Sequence, residues 1–201
     1  MNRRRQTKTL SSGDIRRLEE AKYNAEKLRL PLNCFLTFNP VRGGIAFTAD
    51  PADLFSAVRN WTKVRLRRYG LEPTAIWTIE NSPAGDCPHM HLLMHLPANH
   101  FADFQNAFYL NYPDGNNGGT VAHVRRDDGK TFMSDEGKFR STFHYMTKQM
   151  DSRARHARSN RVSVVAPGPF VGKRFGMTAN IYVTQAQIDE AKAAAVALRV
   201  A

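Results

Sequence analysis

His89 and His91 flank a single methionine. Side chains alternate along an extended strand, so the two imidazoles leave one face together while Met90 leaves the other. Imidazole is the commonest protein metal ligand near neutral pH, and a carboxylate from the next strand would complete a three-donor facial set with positions left open. Glu80 is placed to be that donor, because it lies nine residues before His89 across an intervening turn, and strand pairing would set it beside the histidines. A solvated strand face would also accommodate two histidines. The neighbouring Leu92, Leu93, Met94 and Leu96 argue for burial instead, where an imidazole needs a partner and the carboxylate supplies one. Two other metal chemistries use these residue types. Cys87 could join a structural zinc site, but that needs four closed ligands and the chain has no paired Cys-x-x-Cys. Two histidines with one carboxylate also serve iron oxygenases.

Tyr145 and Lys148 have the i, i+3 spacing that puts two side chains on one helical face. A free tyrosine, with its pKa near 10, is only about 0.1% phenolate at pH 7, and a nearby cation favours the charged form. Alone, the pair reads as a packed tyrosine and a solvated lysine. Beside a metal site it completes the parts for attack on a phosphodiester: a polarised phosphate, a phenol attacking in line, and bond energy kept as a phosphotyrosine.

The bulk composition indicates the partner. Lys and Arg number 29 against 18 Asp and Glu, with a pI near 10.1, which favours a polyanion and nucleic acid first. Cys34 and Cys87 are the only cysteines, so no disulfide framework is implied and a reducing cytoplasm is the default. The first twenty residues carry charges where a signal peptide needs apolar residues, and no run approaches the ~20 apolar residues of a membrane span. A soluble cytoplasmic protein with no membrane partner is expected. At 201 residues and 42% hydrophobic content, one domain can bury a core without covalent staples.

The elements that must position these residues follow from periodicity and punctuation. Residues 1–12 read as a disordered basic arm. Gly13 and Asp14 then open an amphipathic helix to about Leu28, with Ile15, Leu18, Ala21 and Ala25 inward, and Pro31 ends it. Asn33 to Asn39 is a buried strand closed by Pro40 and Gly43-Gly44. Asp50 or Asp53 caps a helix with Leu54, Val58, Trp61, Val64 and Leu66 inward, Arg65, Arg67 and Arg68 in its last turn, and Gly70 as its stop. Strands over 75–81 and 89–96 form a hairpin, followed by a helix over 101–111, a Gly/Asn-rich turn over 114–119, a strand over 120–126 and a helix over 136–150. This β-α-β-β-α-β order predicts an α+β fold, a ferredoxin-like split βαβ with a largely antiparallel sheet. Beyond Met150 come a basic stretch with Arg153, Arg155, His156, Arg158 and Arg161, a Pro-Gly-Pro turn, and a last helix over 184–198. The expected organisation is therefore a basic arm and helix over 1–30, a core over 31–150, and an appended basic loop and helix over 151–201.

Three motifs in this order resemble the HUH endonuclease superfamily, in particular the single-tyrosine replication initiators of rolling-circle plasmids and small phages. Phe35-Leu36-Thr37-Phe38-Asn39-Pro40 resembles the strand lining the DNA site, Pro88 to Leu92 the metal motif, and Tyr145 to Lys148 the nucleophile motif. The resemblance covers about residues 31–150 and implies the HUH endonuclease fold. It implies that Tyr145 cleaves single-stranded DNA at a replication origin, becomes joined to the 5′ phosphate and leaves a 3′ hydroxyl for a polymerase. Glu80, His89 and His91 would hold Mg²⁺ or Mn²⁺, and Lys148 would contact the phosphate or the metal site. Phe35, Thr37 and Phe38 would line the DNA, joined by Arg153, Arg155 and Arg158 of the basic loop. Lys173 and Arg174 read either as a basic turn touching DNA or as a plain structural turn. His95 shares the strand face of the metal histidines by parity but lies further along, as a structural or DNA-facing residue. A single motif tyrosine leaves the second cleavage to another subunit or to reuse of Tyr145.

Gly168 to Arg174 falls short of a phosphate-binding loop, so the resemblance implies a host helicase and a bacterial cytoplasm. A single-tyrosine transposase would use the same chemistry. A non-catalytic RNA-binding module could stack bases on Phe35 and Phe38, yet its Lys/Arg-Gly-Phe/Tyr motif is missing. An iron oxygenase would leave the positive charge unexplained.

Overall fold

The structure is a computed structural model and describes residues 6–7, 9–44, 50–114, 120–127, 132–134, 137–139, 141–149 and 168–182. Helix α1 (Ser12–Lys27) begins at a reciprocal cap: Ser11 accepts from the Asp14 backbone N–H while the Asp14 carboxylate accepts from the Ser11 backbone. Its buried residues are Ile15, Leu18, Ala21 and Ala25, the predicted stripe. Helix α2 (Pro51–Arg68) is capped by Asp50 and followed by Gly70 at φ 73°, a left-handed position that glycine adopts without strain. Its inner residues are Phe55, Val58, Thr62 and Leu66, whereas Val64 is exposed.

Strands β2 (Cys34–Phe38), β3 (Ala75–Glu80), β4 (His89–Met94) and β5 (Ala122–Arg126), with the late β9 (Phe175–Met177), form one five-stranded antiparallel sheet in the order β5-β2-β4-β3-β9. Strand β4 lies between β2 and β3, so the crossover through α2 skips a strand, as a split βαβ requires. β9 adds the edge strand the sequence reading did not contain. It sits against β3 because Gly176 has no side chain, and a Cβ there would come 2.6 Å from the Trp77 ring.

The sheet divides the core. One face carries Leu36, Phe38, Trp77, Ile79, Met90 and Leu92 against α2 and helix α3 (Phe101–Asn111). The other carries Phe35, Ile76 and Leu93 against α1 and helix α4 (Thr142–Met146).

Two expectations are corrected. The helix expected over 136–150 is a short hairpin, β6 (Phe132–Ser134) and β7 (Gly137–Phe139), followed by the five-residue α4. Gly137 is a poor helix former, and Ser141 caps α4 through the His144 N–H, which delays the helix start. The arm expected to be disordered is tied down in part. Gln6–Thr7 (β1) pairs with Phe170–Val171 (β8), and Leu10 is buried with its N–H on the Gln149 carbonyl. The basic stretch with Arg153, Arg155 and Arg158 and the helix expected over 184–198 lie outside the described residues. No helix among the described residues is long and apolar enough to cross a membrane.

Candidate metal centre and tyrosine

Register builds the site. Glu80 is the direct cross-strand partner of His89, and His91 is flanked by Thr78 on one side and Thr37 on the other. Glu80 Oε2 lies 3.2 Å from His89 Nε2 and 3.4 Å from His91 Nε2. Each histidine is held from behind. His89 Nδ1 is 3.1 Å from the Cys87 carbonyl, while its Nε2 is the nitrogen that meets Glu80. His91 Nδ1 is 3.0 Å from the Thr37 hydroxyl, and its ring stacks on Phe35 at 5.4 Å.

The donor set fits a cation. Glu80 Oε1 and His91 Nε2 are buried and make no hydrogen bond among the described residues, and the ligand atoms of Glu80, His89 and His91 lie within 4.8 Å of one another. Two imidazoles and a carboxylate could hold a divalent metal ion, with Thr37 and the Cys87 carbonyl as the orienting partners that tune such sites.

Electrostatics agree with that assignment. Burial by itself raises the Glu80 pKa. The Lys148 ammonium, followed by His91 and His89, overcomes this and holds the carboxyl well below the usual carboxylate range. Burial pushes His91 down to about 4, against the pull of Glu80, so its ring is neutral and able to ligate at neutral pH.

The expected nucleophile pair arrives here by long-range anchoring. Thr78 donates from its hydroxyl to the Met146 carbonyl, and Gln149 bonds both the backbone N–H and the carbonyl of Asn81, fixing 146–149 along β3. Arg125 of β5 bonds Thr142 Oγ1 and so holds the start of α4. Tyr145 then packs edge-on to His91 at 5.1 Å. Lys148 lies past the end of α4, but its N–H reaches the Tyr145 carbonyl, which preserves the close approach that the i, i+3 spacing predicted. Its ammonium sits 3.6 Å from the Tyr145 ring centroid and 2.5 Å from Glu80 Oε2, with the side chain 1% exposed. Glu80, His89 and Tyr145 open on a cavity of about 520 Å³, whose other walls include Thr37, Asn39, Arg42, His123 and Gln149.

The structure does not bring all the expected contacts to that cavity. Phe38 is on the opposite face of the sheet, fully buried against Phe55, Phe108 and Tyr112. Phe35 is on the site's face but 2% exposed beneath His91 and Tyr145, so neither phenylalanine offers a ring to a base. Arg174 is likewise no surface contact. It is 3% exposed, bonds the Ile79 and Gly168 carbonyls and Gln149 Oε1, and burial pushes its pKa down to about 10. The guanidinium braces the end of β3 beside Glu80. Lys173 is exposed in the turn between β8 and β9. His95 follows the end of β4 and bonds the Pro31 carbonyl, away from the site.

His123 was missed. It is the cross-strand partner of Thr37, and hence in line with His91, but that alignment needs the β5–β2 pairing, which no local pattern reveals. The visible signal was an exposed polar residue between buried Ala122 and Val124. Comparison with family models, with curated proteins and with solved structures yields no match to this chain.

Proposed function

We propose that this chain is a metal-dependent enzyme of the HUH type that nicks and rejoins single-stranded DNA, initiating rolling-circle replication of a plasmid or phage. The observation that carries the proposal is the packing of Tyr145 against His91, with Tyr145, Glu80 and His89 lining one cavity. In this reading the Tyr145 oxygen attacks the scissile phosphorus, a phosphotyrosine ester forms, and the bond to the 3′ oxygen breaks. The phenol proton is lost on attack and the departing 3′ oxygen is protonated, leaving a 3′ hydroxyl. Rejoining reverses these steps with an incoming 3′ hydroxyl. When bound by Glu80, His89 and His91, Mg²⁺ or Mn²⁺ would supply Lewis-acid polarisation of the phosphate. His123 and Arg42 also line the cavity, where they suit a flanking phosphate of the strand.

The net charge of +11 supports a nucleic-acid partner, with polymerase and helicase supplied by the host. A base-stacking RNA module draws no support from Phe35 and Phe38, since both rings are buried. The test is to incubate the protein with Mn²⁺ and single-stranded origin oligonucleotides and look for a protein–DNA adduct that survives denaturant. Tyr145→Phe abolishes the adduct and keeps DNA binding. An adduct formed by the Phe variant would remove Tyr145 from the role.

A further inference from the structure

Glu80 Oε2 has three neighbours that could each share its charge, and the nearest is an ammonium. Lys148 Nζ stands at 2.5 Å, closer than either histidine nitrogen at 3.2 and 3.4 Å. The carboxylate and the ammonium are both almost fully buried, so little water screens them. A divalent ion ligated by the same carboxylate would sit about 2.1 Å from oxygen, a separation at which an adjacent ammonium and the ion repel strongly. The two cations are alternatives for one site.

We propose that Lys148 is the resident cation of the Glu80 site and is exchanged for the divalent ion, so that metal entry moves the ammonium off Glu80 and off the face of Tyr145. The inference deepens the nicking reading and rests on it for the metal's purpose. The backbone on either side of Lys148 is fixed, with Thr147 bonded to the Phe143 carbonyl and Gln149 to Asn81, so the movement is confined to the flexible four-carbon stem. Arg174 next to it cannot make this exchange. Its planar guanidinium is engaged by two carbonyls and by Gln149. Lys148 is held to Glu80 and to the Tyr145 ring by an unbranched stem, and both of those groups line the cavity, so a displaced head has open space beside the groups it leaves. Lys148 thereby keeps Glu80 compensated before the metal arrives and afterwards offers its positive charge to the phosphate.

The exchange can be read without measuring activity. In wild-type protein carrying ¹³C-labelled lysine, the Lys148 side-chain signal is shifted upfield by the Tyr145 ring current, and it moves downfield as Mg²⁺ saturates the site. Calorimetry of Mn²⁺ binding provides the second measurement: Lys148→Met binds Mn²⁺ tighter than wild type by roughly tenfold or more, and Glu80→Gln removes the site in either background. A Lys148 signal that stays upfield at Mg²⁺ saturation overturns the proposal. Equal or weaker Mn²⁺ binding by a folded Lys148→Met variant does the same, as does the absence of metal binding in both proteins. If the covalent adduct at Tyr145 forms despite any of these results, the nicking reading survives and only the exchange is lost. If exchange occurs and no adduct ever forms, the reverse holds.

Discussion

The two faces of the central sheet are built from alternate residues of the same strands and have opposite chemistry. On one, Phe38, Met90 and Leu92 meet Phe55, Phe104 and Phe108, and the interface is apolar and aromatic. On the other, Thr37, Glu80 and His91 interrupt the apolar set, and Lys148 is brought in from beyond α4 to face them. Burying apolar rings is favourable, while burying ionised groups gains little net stability even when they are paired. The first face holds the fold together, and the second spends some of that stability on a charged site that could hold a metal ion.

Substitutions on the two faces are expected to cost similar stability and differ in everything else. Glu80→Gln leaves Lys148 without its buried counter-charge and lowers unfolding free energy by about 3–5 kcal/mol in denaturant titrations of the metal-free protein. The same variant loses divalent-metal binding. Phe38→Ala opens a cavity in the aromatic face at a cost of about 3–5 kcal/mol as well, yet under native conditions its Mn²⁺ affinity stays within a few-fold of wild type. Metal binding lost in Phe38→Ala would mean the two faces are not independent.

Acid sharpens the contrast. His91 is held down to about 4 against an ordinary value of 6.5, so over that interval the unfolded chain takes up a proton that the native state refuses, and stability falls as pH falls. Glu80, held below its ordinary 4.5, adds a further loss as pH drops below that value. Denaturant midpoints followed from pH 7 to 4 should decline in wild type, and His91→Asn should flatten the upper part of the decline.

Smaller effects follow from residues that touch the site indirectly. Thr37→Val removes the hydroxyl behind His91 and should weaken Mn²⁺ binding by about tenfold, the lower end for an orienting partner of a metal ligand. Lys173→Ala, in the exposed turn before β9, should leave stability within about 0.5 kcal/mol. If it meets a phosphate, the slope of DNA affinity against salt drops by about one.

The hairpin, the helical stripe of α1 and the Glu80–His89 register were legible because alternation, spacing and turn residues are local signals. Phe35 and Phe38 could have been separated by the same logic, since an odd spacing on one strand sends them to opposite faces. The burial of Arg174 was not legible, and a contact of Lys148 with the metal site was expected only through the family resemblance, not from the residues themselves. Both depend on chain segments remote from β3, and charge in a sequence reads as surface unless the partner is known. The β6–β7 hairpin was hidden by its brevity, as three-residue strands carry no periodicity.

In the proposed reaction the nucleophile is Tyr145, whose ring packs against His91 of the Glu80, His89 and His91 group. Tandem mass spectrometry of a protease digest, after reaction with single-stranded DNA and Mn²⁺, tests this most directly. The expected product is a peptide with a nucleotide attached through its 5′ phosphate to Tyr145. A nucleotide on any other residue, or an adduct that forms equally well in chelator, would contradict it.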